Sequence, residues 1–262
     1  MPSQSPVIVV GGPTSAGKSS LAVAVSEWCG GEVVSAAAFQ VYRGLDIGTG
    51  KIDASSARGI PHHCINIVDP NEHYSAGRYA RDASAVISAV QSRGNMAVIA
   101  GGSGFYIRAL IDGLTALPKQ DERWRKALEA VETSRGFGYL FAMLQVLDPE
   151  WAQAIGKSDR QRTFRGLEVT LRLGVPMSVL LEQQGWSGPH FDAIWVGLSS
   201  PRKQLYKRIE VRIDKMLSDG WLDEVGRLLS SGCTPESPGM RAIAYRDLFA
   251  HLAGEISLGE AR

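Results

Sequence analysis

Gly12-Pro13-Thr14-Ser15-Ala16-Gly17-Lys18-Ser19 follows the pattern G-x-x-x-x-G-K-[ST] directly after the apolar run Val7 to Val10. Strand, glycine loop and helix in that order are what phosphate binding needs. Glycines at both ends let successive backbone N–H groups turn inward at phosphate oxygens, and the N-terminus of the following helix adds its dipole. Lys18 supplies a mobile point charge, and Ser19 a hydroxyl for Mg²⁺. The chemistry is a grip on a phosphorylated ligand. The loop does not say which bond breaks, because a bound diphosphate serves equally as phosphoryl donor or as leaving group.

An ATP-driven motor would carry an acid at the end of a later core strand to hold Mg²⁺. Here the run Met96 to Ala100 ends instead in a second glycine turn, Gly101-Gly102-Ser103-Gly104, which has no carboxylate. Two classes remain: small-molecule kinases, and transferases in which diphosphate departs. Arg208 and Arg212 stand one helical turn apart, where two guanidinium groups can clamp the far side of a diphosphate or pair with Glu210 and nearby acids as surface charge.

Positioning these groups requires a parallel sheet. Short apolar runs at Val7 to Val10, Glu32 to Ser35, Cys64 to Val68, Met96 to Ala100 and Ala193 to Leu198 alternate with helical patterns at Lys18 to Trp28, Ser75 to Arg93 and Phe105 to Ile111. From Asp121 to about Gln184 the periodicity is helical throughout, which predicts a helical insertion between the last two strands. The expected organisation is a phosphate-loop α/β core over 1–117 and 189–262, interrupted by a helical unit over 118–188. Within the insertion, Asp159 to Leu173 reads as a helix with Phe164, Leu167 and Leu171 as its buried stripe and Arg162, Arg165 and Arg172 on the other side. After it, Pro201 opens a helix capped by Ser199 or Ser200, with Leu205, Ile209 and Ile213 facing inward.

With 262 residues, 44% of them hydrophobic, the chain can bury a sizeable core without staples. Cys29, Cys64 and Cys233 are scattered and odd in number, so they outline neither a disulfide framework nor a zinc site, and a reducing cytoplasm is expected. No apolar stretch approaches the ~20 residues of a membrane span. The net charge of +1 hides an uneven distribution: residues 157–172 carry +3 and residues 202–215 carry +4, which leaves the remainder at −6. Two basic segments on an acidic body suggest a polyanion path, although ordinary solvated helix faces would look the same from charge alone. The adjacent His62 and His63 lack spaced partners and read as structural, not as metal ligands.

Seven blocks in register carry a resemblance. They are Gly12 to Ser19, Phe39 to Thr49, Pro61 to His63, Asp69-Pro70 with Tyr74 to Ala76, Gly101 to Tyr106, Asp159 to Arg162 with Arg165 to Val169, and Gly254 to Ser257. Together they resemble the tRNA dimethylallyltransferase family. The resemblance implies transfer of a dimethylallyl group from dimethylallyl diphosphate to N6 of the adenosine beside the anticodon, with Mg²⁺, by a monomer that has no membrane attachment. It implies a diphosphate site at Gly12 to Ser19 with Arg208 or Arg212, catalytic roles for Lys18 and Ser103, and tRNA contacts at Ala37, Ala38, Phe39, Gln40, Ser103, Gln161, Arg162, Thr163, Phe164 and Arg165. Ser103 stands for the family's usual threonine and keeps the hydroxyl. Allylic carbon–oxygen cleavage suits such a site, since the enzyme need only neutralise the departing diphosphate while water is excluded.

Two departures from the family stand out. Ala37 occupies the position of the family's aspartate, the base that takes the N6 proton. Loss of a general base forfeits ~10²- to 10⁴-fold in rate, so the chemistry is expected to be impaired or another base to serve, Asp46 being the nearest downstream carboxylate. The family also continues into a basic, aromatic-containing tail beyond a segment like Glu255 to Arg262, so weaker tRNA binding is expected of this chain. A small-molecule or nucleoside kinase and a non-enzymatic tRNA-binding paralogue are the alternative readings.

Overall fold

Alternate residues along the central strands go to opposite faces of one parallel sheet, and each face meets its own helices. In the computed structural model, which describes residues 6–115, 117–185 and 190–262, the strands are β1 (Val7–Gly11), β2 (Gly31–Ser35), β3 (His62–His63), β4 (Met96–Gly101) and β5 (Ala193–Gly197). Their order is β3-β2-β4-β1-β5, parallel at every pairing. The early helices are α1 (Lys18–Cys29), α2 (Ala54–Ala57), α3 (Ala76–Ser92) and α4 (Gly104–Ile111). Val7, Val9, Val34, Ala97 and Ile99 pack with Tyr79, Ala83 and Ile87 of α3 and Ile107 and Leu110 of α4. Ile8, Val10, Val33 and Val98 pack with Ala22 of α1 on the other face. Strands buried on both faces read as continuous apolar runs, which is why the sequence announces them.

The expected strand at Cys64 to Val68 does not form. Cys64 and Asn66 take left-handed φ values of 59° and 58°, which break a strand, and only an isolated Tyr42–Val68 bridge survives beyond β3.

The chain divides into two compact units, Met1–Asp112 with Pro189–Arg262, and Gly113–Gly188. The first division falls where α4 ends; the expected boundary at 188 and 189 lies outside the described residues. The second unit is helical: α5 (Glu122–Arg135), α6 (Phe137–Leu147), α7 (Pro149–Ala154), α8 (Arg160–Leu173) and α9 (Met177–Gln184). The fold is therefore the expected α/β phosphate-loop sheet flanked by helices, with a helical insertion. Asp159 caps α8, its carboxylate accepting the Arg162 N–H at 3.0 Å. Phe164 and Leu167 are buried as expected, whereas Leu171 is 37% exposed. Small residues explain the difference. Trp151 lies where a side chain on Gly166 would stand, so α8 buries the face centred on Thr163, Gly166 and Thr170 and turns Leu171 outward.

The first unit resumes after β5 with α10 (Arg202–Ser218), α11 (Trp221–Ser230), a 3₁₀ turn at Pro238–Arg241, α12 (Tyr245–Leu252) and α13 (Leu258–Ala261). Pro201 begins α10 without a side-chain cap, contrary to the serine expected there. No α10 residue is fully buried; Leu205, Ile209 and Ile213 are half-buried. Among the described residues no helix is long and apolar enough to cross a membrane.

Candidate active site

Sheet register brings four connecting segments to one edge. Gly11 of β1 pairs with Gly101 of β4 on one side and Gly197 of β5 on the other, and Ser35 of β2 pairs with Ala100. The loops that leave these carboxyl ends are Gly12–Lys18, Ala36–Gln40, Gly102–Ser103 and the turn after Gly197. Such an edge, where the chain departs to both sides of β1, is where open α/β sheets bind ligands.

Backbone contacts lock the segments together. Ala36 donates to Ala100 O at 2.8 Å and its carbonyl accepts the Ser103 N–H at 3.2 Å, while Leu198 donates to Gly11 O at 2.8 Å. Gly101 must be glycine, because a Cβ there would overlap the Ala36 backbone. At Gly12 φ is +154° and a Cβ would come within 2.7 Å of Leu198 O. Ala37 lies half-buried in the turn closed by Gln40 N–H to Ala37 O, 3.3 Å. Ser103 begins α4, but its hydroxyl makes no capping bond.

The phosphate loop has the electrostatics of a site made for an anion. Lys18 Nζ folds back to donate to Pro13 O at 2.7 Å. Burial lowers its pKa, and the nearby Arg212 guanidinium lowers it further; burial lowers that of Arg212 as well. Among the described residues no carboxylate pairs with either cation. Ser15 Oγ is buried with no hydrogen-bond partner, which leaves a hydroxyl donor unused at the loop's centre. Two uncompensated cations and an orphan hydroxyl fit a diphosphate between them.

The two α10 arginines expected to act together are separated by exposure. Arg208 is exposed, whereas Arg212 is half-buried beside Gly50 and Met216. Neither pairs with Glu210. Ser19 is exposed at the first turn of α1, and among the described residues no cluster of three or more His, Cys, Asp or Glu is placed to hold a metal. A single hydroxyl is the kind of protein ligand that Mg²⁺ accepts alongside waters and phosphate oxygens, so Ser19 fits that ion if a phosphorylated ligand is bound.

Gln40 is anchored through both ends of its carboxamide. Its Oε1 accepts from Ser35 Oγ at 2.8 Å, and its Nε2 donates to Thr49 O at 3.2 Å and Gly50 O at 3.1 Å. Phe39 and Ala38 are half-buried beside it, Phe39 tilted against Tyr42 at 6.3 Å. Asp46, the alternative base, is committed to Lys51 Nζ at 2.6 Å. The histidines have structural partners: His63 Nε2 meets Glu32 Oε2 at 2.6 Å, and His62 Nδ1 meets Ile60 O at 2.8 Å.

The helical unit divides its expected tRNA contacts. Gln161 and Arg162 are exposed, Arg162 with 62% of its side chain accessible. The side chains of Thr163 and Phe164 are buried, Phe164 within the unit's core and with Arg160 over its ring at 4.3 Å. Arg165 is half-buried and bonds Glu168 at 2.9 Å and Pro118 O at 2.6 Å, so its guanidinium is spent within the unit. Sequence reasoning missed Glu224 and Tyr245. Glu224 lies in the acidic first turn of α11, where a carboxylate reads as complementing the helix dipole, and nothing local marks its distant partner.

Fold and site define a phosphate-loop α/β protein in which, among the described residues, the loop's Lys18 and the nearby Arg212 have no carboxylate partner. A family profile described as IPP transferase matches residues 40–262, and the chain belongs to that family. It is 42% identical to tRNA dimethylallyltransferase 1 of Citrifermentans bemidjiense, over 97% of this chain and 82% of that protein. It is 41% identical to tRNA dimethylallyltransferase of Geobacter sulfurreducens, over 99% and 84%. Among solved structures, the tRNA isopentenylpyrophosphate transferase of Bacillus halodurans superposes with TM-score 0.68 at 33% identity, covering 98% of this chain and 80% of that one. A eukaryotic dimethylallyltransferase captured acting on tRNA gives TM-score 0.80 at 27% identity, covering 97% and 64%.

Proposed function

We propose that this chain is a tRNA dimethylallyltransferase that moves a dimethylallyl group from dimethylallyl diphosphate to N6 of the adenosine adjacent to the anticodon. The observation that carries this reading is the pair Lys18 and Arg212, desolvated and without a carboxylate, at the phosphate loop of a member of this family. A departing diphosphate accumulates negative charge as the allylic carbon–oxygen bond breaks, and fixed cations and loop amides stabilise that charge most in the transition state.

In this account Gly12 to Lys18 and Arg212 hold the diphosphate, and the Ser19 hydroxyl would hold a Mg²⁺ that would supply further positive charge there. The electron pair of the broken bond leaves with diphosphate, and N6 forms the new bond to the allylic carbon. A stacked adenine cannot reach that carbon, so the base is flipped out of the anticodon arm. Gln40 and the uncommitted hydroxyl of Ser103 orient it at the sheet edge, and Arg162 holds the tRNA backbone. Ala37 has no group to take the N6 proton, so the proton passes to water and transfer is slow. The protein acts as a monomer in the cytoplasm.

Incubation with Mg²⁺ and labelled dimethylallyl diphosphate tests this, read as label acquired by unmodified tRNA. Label in tRNA with release of one diphosphate per transfer is expected. ATP turnover without label transfer would instead establish the kinase reading.

A further inference from the structure

Within the segment that leads from Gln40 to Lys51, three consecutive backbone N–H groups are satisfied by a single carboxylate from a distant helix. Glu224, 2% exposed on α11, accepts the N–H groups of Asp46 at 2.8 Å and Ile47 at 2.6 Å through Oε2, and of Gly48 at 3.3 Å through Oε1. Tyr245 of α12 donates its hydroxyl to Oε1 at 2.6 Å. Burial pushes the Tyr245 phenol far above its usual pKa, with the Glu224 charge adding to it, so the group remains a donor. Trp221, one turn before Glu224, fills the space a side chain on Gly48 would take and stands edge-on to Tyr245 at 5.7 Å. The Lys51 ammonium, 6% exposed, bonds Tyr42 O and its ion-pair partner Asp46, each at 2.6 Å, and the Glu224 charge acts on it at longer range.

This carboxylate fixes the loop's N–H groups, and the loop's carbonyls in turn fix Gln40. The Gln40 amide has Thr49 O and Gly50 O as its acceptors, immediately after the three residues that Glu224 holds. From this chain of bonds we infer that Glu224 is a positioning residue for Gln40. Held by Tyr245 on a packed helix pair, it sets the orientation in which Gln40 meets the adenosine of tRNA. The inference rests on the assignment of Gln40 to tRNA made above. Glutamate is required chemically, since all four groups facing its two oxygens are donors; any orientation of a carboxamide would turn its NH₂ against some of them.

A double-mutant cycle with hydrogen exchange tests this on the full chain, read as tRNA affinity in Glu224→Gln, Gln40→Ala and the combination. Each single change is expected to weaken tRNA about tenfold and the pair no more than about twentyfold, because both act through one contact. Glu224→Gln should also speed amide exchange at residues 46–48. Tyr245→Phe, which removes one donor and leaves the three backbone bonds, should speed the same amides and cost about threefold in affinity. A hundredfold loss in the double variant, or unaltered exchange at 46–48 in both Glu224→Gln and Tyr245→Phe, overturns the inference. So does a tenfold loss in Gln40→Ala with none in Glu224→Gln, which leaves the assignment of Gln40 intact. If Gln40→Ala binds tRNA as the parent does, the assignment of Gln40 falls, and the inference with it.

Discussion

Removing the charge of Arg212 should weaken diphosphate binding while leaving the free protein at least as stable as before. The structure supports opposite signs because Arg212 and Lys18 are two half-buried cations whose burial disfavours their charged forms, and the Arg212 charge disfavours that of Lys18 further. A unit charge about 4 Å from a phosphate oxygen at an effective dielectric of ~20 is worth ~4 kcal/mol. Arg212 is only half-buried, so salt and solvent bring this to about 2–3 kcal/mol, or about 30- to 160-fold in Kd. Arg212→Met keeps an unbranched apolar stem and removes the guanidinium, with its charge and N–H donors, from beside Gly50. Titration calorimetry with Mg²⁺ and diphosphate reads the affinity, and thermal unfolding of the free protein reads the relief of repulsion. Arg208→Met, at an exposed position of the same helix, is the control and should change Kd by less than about threefold. Equal losses in the two variants, or a free protein destabilised by Arg212→Met, would refute the reasoning.

Other expectations follow from single contacts. Burial alone would raise the Glu32 pKa, but hydrogen bonds from Asn95, Arg93 and His63 outweigh it and hold the carboxyl at about 2, below its ordinary 4.5. A depressed carboxylate stabilises the fold above its unfolded pKa and ceases to as pH falls from about 4.5 toward 2, a contribution of at most ~3 kcal/mol and less on the half-exposed Arg93 side. Urea midpoints of the parent should therefore fall more steeply over that window than those of Glu32→Gln; parallel curves would contradict it. Arg162→Ala should lower tRNA affinity and reduce the salt slope by about one, whereas Arg165→Ala should mainly destabilise the helical unit, because it removes the bond to Pro118 O and one of the two arginines paired with the buried Glu168, which keeps Arg172. Salt-titrated binding and thermal unfolding of the two variants distinguish these effects, and interchanged results would reverse the assignment.

The sequence is most legible where one local rule decides the structure. Val7 to Val10 and Met96 to Ala100 are buried on both faces and read as strands; Gly12 to Ser19 carries its own loop geometry; Asp159 and Ser75 mark helix starts as caps. Where several interactions compete, it is less so. Cys64 to Val68 is apolar enough for a strand, yet left-handed Cys64 and Asn66 turn it into a loop; asparagine visits that conformation readily, but cysteine does not announce it. Leu171 fits a heptad-like stripe, but the absence of a side chain at Gly166 decides which face of α8 goes inward. For the site, motif order places Lys18, Gln40 and Ser103 at one edge, and register explains why. The distinction between Arg208 and Arg212, the commitment of Arg165 to Glu168, and the Glu224 support of residues 46–48 depend on long-range packing that spacing does not encode.

The central claim, prenyl transfer to tRNA at a site that lacks only its proton acceptor, is tested most directly by mass spectrometry. Unmodified tRNA would be incubated with Mg²⁺, saturating dimethylallyl diphosphate and either the parent or Ala37→Asp, under single-turnover conditions. The account predicts a dimethylallyl mass increment on the adenosine beside the anticodon in both reactions, formed at least ~10²-fold faster by Ala37→Asp with donor affinity little changed. An increment absent from both, or a variant as slow as the parent, would contradict it.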